Sequence, residues 1–173
     1  ASLYSSASDS PPDLDDDDEA VMESKYAIPA LWFTVFDRST IRTYEDPDDE
    51  GFLTYLITTK DAALRRIAAR SKLFGQLFQN SEPYCDEWAS LVRSLPGAYL
   101  KADIYEVLEM NPDANELRLA LVFLDQQEPE TIKAFFAITS LPEVTDAQGG
   151  ILETSSSESG YTTRERLMGR LLS

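Results

Sequence analysis

Residues 60–78 read KDAALRRIAARSKLFGQLF, and this stretch decides the expected fold because its apolar residues recur at helical spacing. Positions three and four residues apart share one face of a helix. The apolar face consists of Ala63, Leu64, Ile67, Phe74, Leu77 and Phe78. The outer face is basic and carries Arg65, Arg66, Arg70 and Lys72. We therefore expect a long amphipathic helix that packs its apolar face on a core.

A second helix is expected immediately before this stretch. Asp46 can cap free backbone amides, Pro47 suits a first helical turn, and the acids at 48–50 complement the helix dipole. The apolar residues that continue this pattern are Phe52, Leu53, Leu56 and Ile57. Residues 46–57 therefore read as the start and first turns of a helix.

Three more helix starts follow in the sequence. They are Ser81-Glu82-Pro83, Asn111-Pro112 and Glu128-Pro129-Glu130. Residues 28–36 are apolar throughout and favour a helix because Pro29 suits a first turn. Residues 98–110 fit either a helix or a strand, whereas residues 2–6 and 40–44 read as short strands. These patterns predict a mostly α fold with a minor β component, namely a single helical domain with a flexible acidic N-terminal arm.

Composition divides the chain into four segments. Residues 1–24 are expected to be an acidic arm that is largely loop or disordered, and residues 25–141 a globular, mainly helical domain. Residues 142–160 read as a linker rich in Ser and Gly. Residues 161–173 are expected to form a C-terminal amphipathic helix that begins with a capping box at Thr162–Glu165. Its apolar stripe can pack on the core or on a partner.

Charge is concentrated at the start of the chain. The net charge is −16, and the first fifty residues hold 14 Asp or Glu against three Lys or Arg. The acidic run has three interpretations: a solvated segment without function, a docking surface for a basic partner, or a counter-charge for the basic face of the helix at 60–78. Such an imbalance disfavours binding to nucleic acid or to an anionic membrane, and it favours cationic partners.

Composition also excludes several kinds of active site. The chain has no histidine and a single cysteine, Cys85, so Ser–His–Asp and Cys–His catalysis and cysteine-cluster zinc sites are ruled out. We expect Cys85 to be a buried, inert thiol. Calcium-loop spacing fails at Asp13 and at Asp46, and no glycine-rich phosphate loop occurs. The first residues lack a basic segment followed by an apolar one, so we expect a cytoplasmic protein.

Three short stretches carry a resemblance to a known family. They are Tyr26-Ala-Ile-Pro-Ala-Leu31, residues 46–51 and Ala98-Tyr-Leu-Lys-Ala-Asp-Ile-Tyr-Glu-Val107. Together with the opening Ser2-Leu3-Tyr4-Ser5, they resemble an uncharacterised bacterial family of small cytoplasmic proteins; residues 142–173 lie outside the resemblance. The family carries no catalytic motif, so it implies no functional residue here. As a class, the chain is also similar to bacterial toxin-immunity proteins, which are often small and acidic.

These observations predict a non-enzymatic, acidic protein-binding module without a cofactor, a metal or catalytic residues. In its most specific form it is an immunity protein that occludes the basic site of a toxin or effector. The candidate partner-binding residues are Asp15, Asp16, Asp17, Asp18, Glu19, Asp46, Asp48, Asp49 and Glu50. Two alternatives stay open: a carboxylate-based hydrolase that uses magnesium, and an adaptor that binds through its tails.

Overall fold

An antiparallel sheet organises the chain. The computed structural model describes residues 1–12, 18–46, 48–111, 113–153 and 160–172. Its strands are β1 (Ser2–Ser6), β2 (Glu19–Glu23), β3 (Ile41–Glu45), β4 (Phe52–Thr59), β5 (Tyr99–Asp103) and β6 (Arg170–Leu171). Within the described residues these six strands form one sheet in the order β3-β4-β5-β1-β2-β6. Every pairing in it is antiparallel.

Helices and short 3-10 turns make up the second layer. The helices are α1 (Lys60–Leu77), α2 (Glu82–Ser94), α3 (Tyr105–Met110), α4 (Ala114–Leu121), α5 (Pro129–Ile138) and α6 (Thr163–Met168). The 3-10 turns are Ala30–Thr34, Arg38–Thr40 and Leu141–Val144. In the described ranges, none of the helices combines the length and apolar character that crossing a membrane requires. The predicted mostly α class is wrong, because a sheet of this extent makes the fold α+β.

The core lies between one face of the sheet and the helices. Side chains alternate along a strand, so every second residue faces the helices. The sheet residues in the core include Leu3, Met22, Leu56, Leu100 and Ala102. Aromatic rings fill the helical side, where Phe135 stacks on Phe123 at 4.3 Å between ring centroids and meets Phe33 edge-on at 5.0 Å. The largest buried side chains, Trp32 and Trp88, lie in the same core.

The helix expected at 60–78 is confirmed as α1, and two arginines of its basic face form ion pairs within the protein. Arg66 pairs at 2.9 Å with Asp37, in the segment that follows Trp32, and Arg70 pairs at 3.1 Å with Asp125, in the connection between α4 and α5. Arg70 also donates to the carbonyl oxygens of Phe33 and Phe36. These arginines therefore fasten the apolar segment to α1.

The helix expected to start at Asp46 is wrong. The backbone amide of Asp46 donates to the carbonyl of Gly51 at 3.0 Å, and its carboxylate accepts from the amide of Asp48 at 2.9 Å. These bonds close a hairpin loop between β3 and β4. Residues 52–59 are rich in Thr, with Ile57 among them, and β-branched side chains suit a strand that pairs on both edges. The Asp46 carboxylate does accept a backbone amide hydrogen bond, as the capping pattern predicts, but this bond stabilises a turn instead of a helix start.

The N-terminal segment also differs from the expected acidic arm. The strand predicted at 2–6 is confirmed as β1, which lies between β5 and β2 inside the sheet. Residues 19–23 form β2 rather than loop. A deletion of residues 1–24 would therefore remove two strands of the fold rather than a tail.

Other predicted elements are present, some with different bounds. Residues 98–110 contain both structures that were considered, β5 and then α3, and residues 28–36 contain a 3-10 turn. The capping box at Thr162 is confirmed, but α6 ends at Met168 because Gly169 adopts a φ of 96°. Leu167 and Met168 are buried in the core. The predicted C-terminal stripe does not continue, since Leu171 and Leu172 are exposed.

We expect Gly97→Ala to lower the free energy of unfolding by about 1–3 kcal/mol, because overpacking displaces backbone. A Cβ at Gly97 would meet the backbone nitrogen of Ser6 and lie 2.5 Å from its carbonyl oxygen. Urea unfolding measures the loss. Gly51→Ala is the control, since no atom lies within 4 Å of its Cβ position. Equal stability of the two variants would contradict close packing of Gly97 on β1.

Asp37 should make the stability of the protein depend on acidic pH. Partial burial acts to raise the pKa of Asp37, but hydrogen bonds from Ser39 and the charge of Arg66 outweigh it, so the pKa lies below 3.8. The carboxylate therefore stabilises the fold fully above pH 3.8, and this contribution is lost as the pH falls through the lower folded pKa. Asp37→Asn should cost about 1 kcal/mol at pH 7 in urea unfolding. A deficit that persists unchanged at pH 3 would contradict this assignment.

Candidate functional site

The described parts of the connection between β1 and β2 lie on the face of the sheet opposite the helices. Lys101 points to this face, since its neighbours Leu100 and Ala102 face the core. Ser10 and Asp18, which belong to the connection, both contact Lys101. Pro12 is buried beside Tyr55. The described parts of the acidic segment therefore pack on the sheet.

A buried ion pair holds this segment. The ammonium of Lys101 donates to the carboxylate of Asp18 at 3.0 and 3.2 Å and to the hydroxyl of Ser10 at 3.3 Å. Both charged side chains have 0% exposure. An isolated charge removed from water costs several kcal/mol, so each ion requires the other. Asp18, one of the predicted partner-binding residues, thus has a partner inside the protein.

A cleft opens on this face toward the β3–β4 hairpin, and we call it the aromatic cleft. Its volume is about 270 Å³. It is lined by Pro12, Tyr44, Asp46, Leu53, Thr54, Tyr55, Asp103 and Tyr105. The rings of Tyr44 and Tyr55 meet edge-on at 5.6 Å, at an angle of 74°. The cleft therefore combines three tyrosines with two carboxylates.

The strand pairing explains how these groups meet. Tyr55 of β4 lies opposite Asp103 of β5, and Tyr44 of β3 lies opposite Leu53 of β4. Opposed residues and alternate residues of one strand share a face, so Tyr44, Tyr55 and Asp103 come together. The Asp103 carboxylate also accepts a hydrogen bond from the amide of Tyr105 at 3.0 Å, which positions Tyr105 at the end of the cleft.

Two tyrosines of the cleft, Tyr55 and Tyr105, stay neutral at physiological pH. Burial raises the pKa of Tyr55, and the nearby charge of Arg42 opposes this only in part. The hydrogen bond to Glu109 and the charge of that carboxylate raise the pKa of Tyr105. Neutral phenol rings present an electron-rich face, and a cation between such rings and a carboxylate is attracted to both.

Apart from the buried Asp18, the predicted acidic residues fall into three groups. Asp15, Asp16 and Asp17 lie outside the described residues. Glu19 is exposed on β2, opposite Ser5. Asp46 lines the aromatic cleft, while Asp48, Asp49 and Glu50 are exposed in the hairpin loop beside it.

Sequence reasoning missed Asp103 and the three tyrosines of the cleft. The sequence predicts a strand at Tyr44, but the residues beside Tyr44 in the sheet belong to β4, where the sequence predicts a helix. The available signal was the spacing of two residues between Leu53 and Tyr55, and between Lys101 and Asp103, which is typical of one face of a strand. It indicates a shared face only once the strand pairing is known.

Other chemistry in the described part of the chain is limited. The ranges that the structure describes contain no cluster of three or more acidic or Cys side chains that could hold a metal ion. Cys85 is buried in α2, and burial raises its pKa to about 11, so the thiol stays protonated at neutral pH.

Comparisons of the chain with protein-family models, with curated proteins and with solved structures find no match.

Asp18→Asn should lower the free energy of unfolding by about 3–5 kcal/mol, because it leaves the Lys101 ammonium buried without its counter-charge. The double variant Asp18→Leu with Lys101→Met should recover most of this loss, since apolar groups then replace both ions. Asp48→Asn, in the exposed hairpin loop, is the matched control and should change stability by less than about 0.5 kcal/mol. Urea unfolding at pH 7 measures all three. If Asp18→Asn resembles the control, the ion pair does not hold the segment on the sheet.

Proposed function

We propose that this protein is a non-enzymatic binding module whose aromatic cleft receives a Lys or Arg side chain of a basic protein partner. The observation that carries the proposal is the convergence of Tyr44, Tyr55 and Tyr105 with Asp46 and Asp103 in one cleft. Aromatic faces and carboxylates together form a site for an organic cation.

The size of the cleft favours a single side chain over a cofactor. Pockets that bury drug-sized ligands have volumes of roughly 300–1,000 Å³. The aromatic cleft, at about 270 Å³, is smaller and opens to the surface. A long cationic side chain can enter it with its stem against the rings and its charge at the carboxylates.

The surroundings of the cleft supply charge and apolar contact. Asp48, Asp49 and Glu50 are exposed in the adjacent loop, and a negative rim speeds the approach of a basic partner. Tyr105 is 47% exposed, and Phe52, at the same end of the hairpin, is 72% exposed. Exposed aromatic residues of this kind often dominate the energy of an interface.

The most specific form of the proposal is an immunity protein that acts by occlusion. A toxin or effector that binds phosphate needs Lys and Arg side chains in its own site. The acidic cleft and the adjacent loop would cover these side chains. A cytoplasmic location and the absence of nucleic-acid and membrane partners belong to this proposal. The net charge of −16 supports it.

A labelled Arg- and Lys-rich peptide tests the proposal by fluorescence anisotropy. Tyr105→Leu keeps an apolar side chain but removes the ring, and should weaken binding ~3- to 10-fold. Asp46→Asn keeps the acceptor for the Asp48 amide while removing the charge, and should weaken binding to a similar extent. The association rate should fall as salt rises, because charge steering is screened.

Glu130→Gln is the matched control, since it removes an exposed acid from α5 in the helical layer. It removes one negative charge, as Asp46→Asn does. The proposal fails if the control weakens the peptide as much as the cleft variants do, or if the association rate is indifferent to salt.

A further inference from the structure

A second cavity lies away from the aromatic cleft, at the C-terminal end of the chain, and we call it the C-terminal cavity. Its volume is about 450 Å³. The segment after β2, the end of α5, the turn Leu141–Val144 and the start of α6 form its walls. The residues that matter for its chemistry are Lys25, Tyr26, Ser140, Glu143, Tyr161 and Arg166. This volume lies within the range of small-molecule sites.

Arg166 gives the cavity its charge. The side chain is only 6% exposed, although it carries a guanidinium group with five N–H donors. One ion-pair partner is Glu143, whose side chain is 57% exposed. A buried cation is therefore paired with a carboxylate that reaches in from the surface. The pair shows that an oxyanion can approach Arg166 from the cavity side.

Tyr161 adds a hydrogen-bond donor that has no acceptor among the described residues, and its hydroxyl is buried. A buried hydroxyl is normally satisfied, so an unmade bond in the lining of a cavity leaves a donor for a ligand group. The Tyr161 ring is held by Arg170, whose guanidinium carbon lies 4.2 Å from the ring centroid. This contact fixes the position of the ring in the wall of the cavity.

The opening of the cavity carries strained backbone. Tyr26 has a φ of 64°, a conformation that residues other than glycine seldom adopt. Its side chain is 62% exposed, so core packing does not explain the strain. Lys25, next to it, is exposed and adds a second positive charge to the lining. Strain of this kind often marks a binding site.

We propose that the C-terminal cavity binds a small molecule through a carboxylate or phosphate group, and that Glu143 occupies the position of that group in the free protein. Arg166 supplies charge-assisted hydrogen bonds, Tyr161 donates through its hydroxyl, and Lys25 adds positive charge at the opening. Glu143 then acts as an internal competitor, which the ligand displaces toward solvent. This site is chemically opposite to the aromatic cleft and does not depend on the function proposed for it.

Isothermal titration calorimetry with inorganic phosphate and with citrate tests the proposal and separates the two kinds of oxyanion. Glu143→Gln removes the competing charge and should tighten binding of at least one anion ~3- to 10-fold. Tyr161→Phe removes only the hydroxyl and should weaken binding by a similar factor. Glu130→Gln, an exposed acid on α5, should bind as the unmodified protein does. Sodium chloride at matched ionic strength controls for screening.

Saturable binding of phosphate or citrate that Glu143→Gln strengthens and Tyr161→Phe weakens would support the site. Two outcomes would overturn it: no saturable binding of either anion to the protein or to Glu143→Gln, or equal effects of Glu143→Gln and Glu130→Gln. A purely structural role for the Arg166–Glu143 pair predicts that Glu143→Gln loses stability in urea and gains no affinity. Tyr161→Phe keeps the proposal testable if Glu143→Gln fails to fold.

Discussion

The buried ammonium of Lys101 is the constraint that determines where the acidic connection between β1 and β2 packs. Lys101 lies on β5, at the centre of the sheet, with its charge shielded from water. Such a group is tolerated only with a counter-charge, and Asp18 supplies it from the β1–β2 connection. The connection is therefore held on the sheet, and Pro12 lines the aromatic cleft as a result. Part of the acidity serves the fold itself.

The aromatic cleft and the C-terminal cavity differ in the charge of the groups that line them. The aromatic cleft combines tyrosines with carboxylates and suits a cation, whereas the C-terminal cavity combines a buried guanidinium with a tyrosine hydroxyl and suits an anion. The negative net charge of the protein agrees in sign with the aromatic cleft but not with the C-terminal cavity, because a net charge averages over the whole surface. A strongly acidic chain can therefore contain a site for an anion wherever the fold buries an arginine beside a cavity.

Local patterns predicted the elements that local chemistry controls. The apolar spacing of residues 60–78 forms α1, and the proline-led starts before α2 and α5 are both used. The start predicted at Asp46 failed because Asp, Pro and acidic residues favour tight turns as well as first helical turns. Residues 52–59 form a strand because they pair with β3 and β5. These partners are not visible in a short stretch of sequence, so the sequence could not distinguish a turn from a helix start at Asp46.

The sequence by itself determined α1, the starts of α2 and α5, the short strand predicted at 40–44, and the exclusion of histidine and cysteine-cluster chemistry. The tertiary structure alone decided the sheet, the burial of Asp18 and the composition of both cavities. The physical reason is separation along the chain: Asp18 and Lys101 are 83 residues apart, and Tyr55 meets Asp103 only through strand pairing. Periodicity and capping act over a few residues, whereas a buried ion pair and a cleft are made by residues that only the fold brings together.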